Sequence, residues 1–250
     1  MAELTRNIVV IGATSRLAGL CARHWATQGA HLLLAGRDRA KLEALAQDLR
    51  ARGAPYADWV VYEAEAPYAP HTMVQDAQTK LGRVDIVLIA HGWLPDQYLC
   101  EIDHDLARKA LDINGTSACM MAEGFADLLA AQNHGSLAVI GSVAGDRGRQ
   151  SNYIYGAAKA LVEHYLQGLR NRLHSHGVSV TLIKPGPTDT PMTAELKRMG
   201  LRLTPAPQVA HDIVHGIAQR RAVVYTPGRW RWIMAIIRAI PEALFVRLKL

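Results

Sequence analysis

The sequence predicts an α/β fold: a single domain built on a doubly wound parallel sheet of about seven strands. Two observations lead to this. Short apolar runs of strand length recur along the 250 residues with longer helical patterns between them, and the first run opens straight into a glycine-bearing turn. A third limits the alternatives: no repeat, low-complexity linker or domain boundary interrupts the alternation.

In chain order, the strand-like runs are Ile8–Ile11, His31–Ala35, Trp59–Glu63, Val84–Ile89, Ser136–Ile140, Val178–Lys184 and Val223–Tyr225. Helical periodicity fills the gaps, over Arg39–Arg52, Asp103–Gln132 and Ser151–His176. Small and apolar residues in the middle one (Ala110, Ile113, Gly115, Ala118) suit packing on the sheet or on another subunit. Thr204-Pro205 offers a cap and a first-turn proline for a helix through Arg220. Residues 1–226 read as the domain and 227–250 as a basic, amphipathic appendage.

Half of the residues are apolar and a fifth are charged, as in a globular protein. Cys21, Cys100 and Cys119 show neither pairing nor metal-ligand spacing, which fits a reducing compartment. Met1 to Asn7 lack the basic-then-apolar layout of a secretory signal, so the expected location is cytoplasmic. The net charge of +6 is local: residues 220–250 hold seven basic residues against Glu242 alone, and the rest of the chain is balanced. No recognition motif accompanies the charge, and the tail is apolar as well as basic, so nucleic-acid binding is not expected.

At the first strand-to-helix turn, Gly12-Ala13-Thr14-Ser15-Arg16-Leu17-Ala18-Gly19 would aim backbone N–H groups and a helix N-terminus at a pyrophosphate. That placement makes the sheet Rossmann-like. The second strand ends in Ala35-Gly36-Arg37 without the carboxylate that binds the ribose hydroxyls of NAD. A guanidinium pairs with the 2′-phosphate of NADP, so NADP(H) is expected over NAD(H), held by Arg37 with Arg16, although Asp38 follows directly.

Tyr155-Gly156-Ala157-Ala158-Lys159 places a phenol and an ammonium on one helical face. An adjacent ammonium favours the phenolate and readies it for proton exchange. Tyr153 has Ala157 at the same spacing and is not the catalytic candidate. Ser142, just past the fifth strand, is placed to bond a substrate oxygen as charge develops there. Asn114 is a polar amide on an otherwise apolar helix face.

With Lys184-Pro185-Gly186-Pro187-Thr188-Asp189-Thr190 after the sixth strand, this set resembles the classical short-chain dehydrogenases over residues 7 to about 226. The resemblance implies Tyr155 as the acid/base, Lys159 as the group that lowers its pKa and holds the nicotinamide ribose, Ser142 as substrate-orienting, and Asn114 as holder of a relay water. It implies a cofactor wall of Gly12, Thr14, Ser15, Arg16, Leu17, Gly36, Arg37, Glu63, Ala64, Ala90 and Gly92, completed by Pro185, Gly186, Thr188 and Thr190. Three departures stand out: Arg16 and Ala18 replace the family's second and third turn glycines, and Ile89-Ala90-His91-Gly92 replaces its Asn-Asn-Ala-Gly. His91 reads as a surface or cofactor-flanking residue.

A narrower resemblance rests on Gly141-Ser142-Val143-Ala144-Gly145-Asp146-Arg147-Gly148-Arg149-Gln150-Ser151-Asn152-Tyr153 and on Trp230-Arg231-Trp232-Ile233-Met234-Ala235-Ile236-Ile237-Arg238-Ala239-Ile240-Pro241. Both are similar to reductases of a decaprenylphosphoryl 2-keto-pentose in cell-envelope synthesis. That implies a lipid-linked sugar substrate and a partner flavoenzyme that makes the ketone; family habit implies a homo-oligomer. In the tail, Trp230, Ile233, Ile236, Ile237, Ile240 and Leu244 share a face opposite Arg231, Arg238 and Glu242. This stripe suits either an interfacial helix, with membrane-surface contact through residues 229–250 and a peripheral location, or packing on protein. A general carbonyl or 3-oxoacyl reductase and a non-catalytic cofactor-binding subunit are the competing functions.

Overall fold

The computed structural model describes residues 5–66 and 69–248. Residues 1–4, and Lys249 of the basic tail, lie outside this range.

The first half is a regular alternation: β1 (Asn7–Ile11), α1 (Arg16–Ala26), β2 (His31–Gly36), α2 (Arg39–Ala51), β3 (Tyr56–Val61), α3 (Ala69–Leu81) and β4 (Ile86–Ile89). Next come α4 (Gln97–Ile102), α5 (His104–Leu111), a π-helical turn at Asp112–Thr116, α6 (Ser117–Gln132) and β5 (Ser136–Ile140). A 3₁₀ turn at Val143–Asp146 leads to α7 (Tyr153–His174) and β6 (Ser179–Pro185). The rest comprises β7 (Thr188–Asp189), α8 (Ala194–Arg198), β8 (Thr204–Pro205), α9 (Ala206–Ala218), β9 (Val223–Thr226), α10 (Arg229–Ala239) and α11 (Glu242–Phe245).

Seven strands form one parallel sheet in the order β3-β2-β1-β4-β5-β6-β9, with β7 and β8 paired apart from it. The order reverses between β1 and β4, the point where such sheets open a crevice for ligands. Alternation along each strand splits the core in two. Ile8, Val10, Leu32 and Leu34 face α1, α2 and α9 around Trp25, whereas Val9, Ile11, Leu33 and Val87 face α3, α6 and α7 around Phe125. Strands buried on both faces read as unbroken apolar runs, which is why these were easy to see.

Four expectations change. The stretch Asp103–Gln132 is helical but not α throughout: Asp103 caps its start by accepting from Leu106 N–H at 3.0 Å, and a π turn interrupts the α period where Asn114-Gly115 sits. The third strand begins at Tyr56, leaving Glu63 beyond its end, because pairing with β2 begins at His31–Tyr56. Thr204 does not cap α9 with its side chain: Pro205 takes the N-cap position, Pro207 is the first-turn proline, and Thr204 N–H bonds Pro187 O in β8. The tail helix buries Met234 and half-buries Trp230, Ile233 and Ile237, but Ile236 at the edge of the stripe is exposed, and so is Leu244, which follows the break in periodicity at Pro241. Arg147 holds that helix end, donating to Ile237 O (2.7 Å), Ile240 O (2.6 Å) and Glu242 (2.8 Å), with its guanidinium 3.7 Å over the Phe245 ring.

Candidate active site

A cavity of about 890 Å³ opens at the carboxyl ends of the strands. Every residue expected to bind or act borders it, from Gly12 to Thr190, with Asn114 as the exception.

The cofactor end follows from local geometry. Gly12 has φ +74°, and a Cβ there would lie 2.5 Å from His91 N, so only glycine lets the β1 turn press against the strand-four loop. Ser15 caps α1 by accepting from Ala18 N–H (3.3 Å), which presents the helix start to the cavity. Arg16 and Arg37 are exposed at the rim. Asp38 does not line the cavity: it caps α2 by accepting from Lys41 N–H (3.1 Å) and pairs with the Lys41 ammonium at 3.0 Å.

At the other end, α7 presses on the 3₁₀ turn. A Cβ at Gly156 would lie 2.9 Å from Ala144 O, and one at Gly145 would lie 2.9 Å from Lys159 C. Two glycines therefore set the spacing between Ser142 and the Tyr155–Lys159 helix. Ser142 Oγ accepts from Ala144 N–H (3.1 Å), and Ser142 and Tyr155 line the same stretch of cavity. Lys159 Nζ donates to Ile140 O (3.2 Å) and lies 5.6 Å from the Tyr155 ring centre.

The expected depression of the tyrosine does not occur here. Burial of the phenol pushes Tyr155 up to about 12, with Ser142 opposing, while burial pulls Lys159 down to about 8. Desolvation dominates at the phenol, while Lys159 donates its ammonium to the Ile140 carbonyl. At neutral pH the phenol keeps its proton and the lysine is mostly charged. His91 is half-buried with Nε2 at 2.9 Å from Ser117 Oγ; burial, aided by Lys159, pulls it down to about 3, so it is neutral and cannot serve as a charged acid.

Asn114 is fully buried in the π turn, where its Oδ1 accepts from Trp93 N–H (2.8 Å) and its Nδ2 donates to Ala110 O (2.9 Å). The amide thus fixes the loop after β4, whose Gly92 abuts Lys159 Nζ. Arg149 and Asn152 also line the cavity and were not singled out from the sequence; their only signal was their position between Ser142 and Tyr155.

A glycine turn at the switch point of a doubly wound sheet, with a Ser–Tyr–Lys group in the same cavity, defines a dinucleotide-binding oxidoreductase. Residues 6–200 match the short chain dehydrogenase family, and the chain belongs to that family, acting on CH–OH groups. It is 35% identical over 245 residues to an uncharacterized oxidoreductase of Streptomyces coelicolor, covering 97% of this chain and 96% of that one. An uncharacterized oxidoreductase of Mycobacterium tuberculosis is 30% identical over 241 residues, covering 96% of each. Among solved structures, a short-chain dehydrogenase from Sphingobium yanoikuyae in complex with NADPH aligns with a TM-score of 0.78 at 22% identity, over 95% of this chain and 97% of that one. Levodione reductase aligns with a TM-score of 0.83 at 21% identity, over 92% and 99%. These two share the fold.

Proposed function

We propose that this protein reduces a ketone to a secondary alcohol with NADPH, and that the ketone is a 2-keto sugar carried on a polyprenyl phosphate. The observation that carries the chemistry is the Tyr155 phenol beside Ser142, in one cavity with the arginine-flanked glycine turn. The dinucleotide fits the residues present: the cavity runs past the Gly12 turn, and capping of α2 occupies Asp38, the carboxylate that directly follows Arg37. That leaves Arg37 and Arg16 as the charges facing a 2′-phosphate, consistent with the NADPH held by the Sphingobium relative.

When bound, the cofactor supplies the hydride. Tyr155 Oη donates the proton to the carbonyl oxygen, which the Ser142 hydroxyl orients. Lys159 holds positive charge close to that oxygen and the ribose. Gly186, Thr188 and Thr190, which line the same cavity, would hold the carboxamide side, and Asn114 steadies the Trp93 loop beside Lys159. A flavoenzyme partner would supply the ketone.

The tail supports the lipid-linked substrate. Among the described residues no helix is long and apolar enough to cross a membrane. Trp232 and Ile236 are 70% and 68% exposed on a helix carrying Arg229, Arg231 and Arg238, a composition suited to resting on an anionic bilayer surface. A homo-oligomer would cover exposed Tyr98, Leu99, Met120 and Leu161 on the adjoining helices α4, α6 and α7.

The test follows NADPH oxidation with a polyprenyl-phosphoryl 2-keto-pentose. Turnover that Tyr155→Phe abolishes supports chemistry and substrate together. Turnover of soluble keto compounds alone makes this a general carbonyl reductase, and NADPH binding without turnover of any ketone makes it a cofactor-binding subunit.

A further inference from the structure

Arg149 is a half-buried arginine in the wall of the cavity, and its bonding is incomplete. Its Nε is buried with no hydrogen-bond partner among the described residues, and one terminal nitrogen meets only the Met234 sulfur at 3.3 Å, a weak acceptor. No described carboxylate pairs with it. The nearby Asp146 is already committed to Lys184 and to the Tyr225 hydroxyl (3.0 Å). A guanidinium taken from water without an anion is costly, which points to a ligand that completes it.

Its place in the fold separates it from the cofactor arginines. Arg37 follows β2, on one side of the sheet's switch point; Arg149 follows β5 on the other side and packs against α10. Asn152, at the N-terminal boundary of α7 three residues before Tyr155, brings a second unpartnered buried atom, Oδ1, to the same wall.

We infer that Arg149 binds an oxyanion, a phosphate ester or carboxylate, on the carbonyl substrate, and that Asn152 accepts a hydrogen bond from a substrate hydroxyl. The substrate is therefore an anionic hydroxyketone. This deepens the reading above and rests on it.

The experiment saturates the protein with NADP⁺, so that the cofactor's own phosphates occupy their site, and titrates dibutyl phosphate calorimetrically. Wild type binds; Arg149→Met weakens binding at least tenfold, and Arg149→Lys, which restores the charge without the two-pronged geometry, recovers part of it. Melting temperatures confirm that both variants fold. Equal binding by wild type and Arg149→Met overturns the inference, and so does absence of binding by wild type at tens of millimolar. NADPH binding, followed separately by fluorescence, distinguishes the failures: if it is intact, only the anion site falls, and if wild type lacks it, the reductase reading falls.

Discussion

Tyr155 keeps its proton across the neutral range because burial pushes its phenol up to about 12, which suits a donor to a ketone. Tyr155→Phe removes that donor and little else. The expected result is a loss of about 10²–10⁴-fold in kcat, with NADPH affinity and melting temperature retained. Lys159 behaves oppositely. Its ammonium is pulled down to about 8 from 10.5, so between those values the unfolded chain binds more protons and stability rises with pH. Below about pH 8 the buried charge costs at most about 3 kcal/mol. Lys159→Met should therefore raise the melting temperature by several degrees at pH 7 while abolishing turnover, and that gain should shrink as the pH climbs from 8 to 10.5. Scanning calorimetry across the range checks it; a gain independent of pH would show that the lysine's charge is not what costs stability.

Among the elements, the tail takes its role from contacts. Arg147 anchors it through several carbonyls, Glu242 and the Phe245 ring, all more than 85 residues away in sequence. Charge-assisted bonds of this kind each contribute about 1.5–3 kcal/mol. Arg147→Ala should speed hydrogen exchange in α10 and α11 by tenfold or more and leave the sheet's exchange unchanged. Membrane contact has a separate handle, because Trp232 and Ile236 face away from the body. The double change Trp232→Ser, Ile236→Ser should lower binding to vesicles containing anionic lipid by about tenfold without altering the melting temperature; unchanged vesicle binding would remove the membrane from the account. The π turn shows the same dependence on contacts: the sequence has continuous helical periodicity there, and Asn114's partners, Trp93 N–H and Ala110 O, belong to the tertiary structure.

For the molecule as a whole, cofactor binding should be read in stability, since only the folded sheet assembles the turn, the rim arginines and the β6 loop into one cavity. At a hundredfold excess over its Kd, a ligand stabilises by about 2.7 kcal/mol. NADPH at a fixed concentration should raise the melting temperature more than NADH does, and Arg37→Glu should reverse that order, since a carboxylate repels the 2′-phosphate and bonds the ribose hydroxyls. Equal shifts from both cofactors in wild type would set the arginine reading aside.

The sheet was legible because strands buried on both faces must be continuously apolar, and the glycine turn and the Tyr155–Lys159 spacing are local, short-range patterns. The sequence alone therefore determined the sheet, the family, and all but one of the residues on the cavity wall it named. The tertiary structure decided what depends on environment or on distant partners: that burial raises Tyr155 and lowers Lys159, that Asp38 is spent on a helix cap, that Asn114 stands behind the wall, and that Arg149 lacks a partner. Periodicity records which face of an element is apolar; charge state and pairing depend on what the rest of the chain brings against that face.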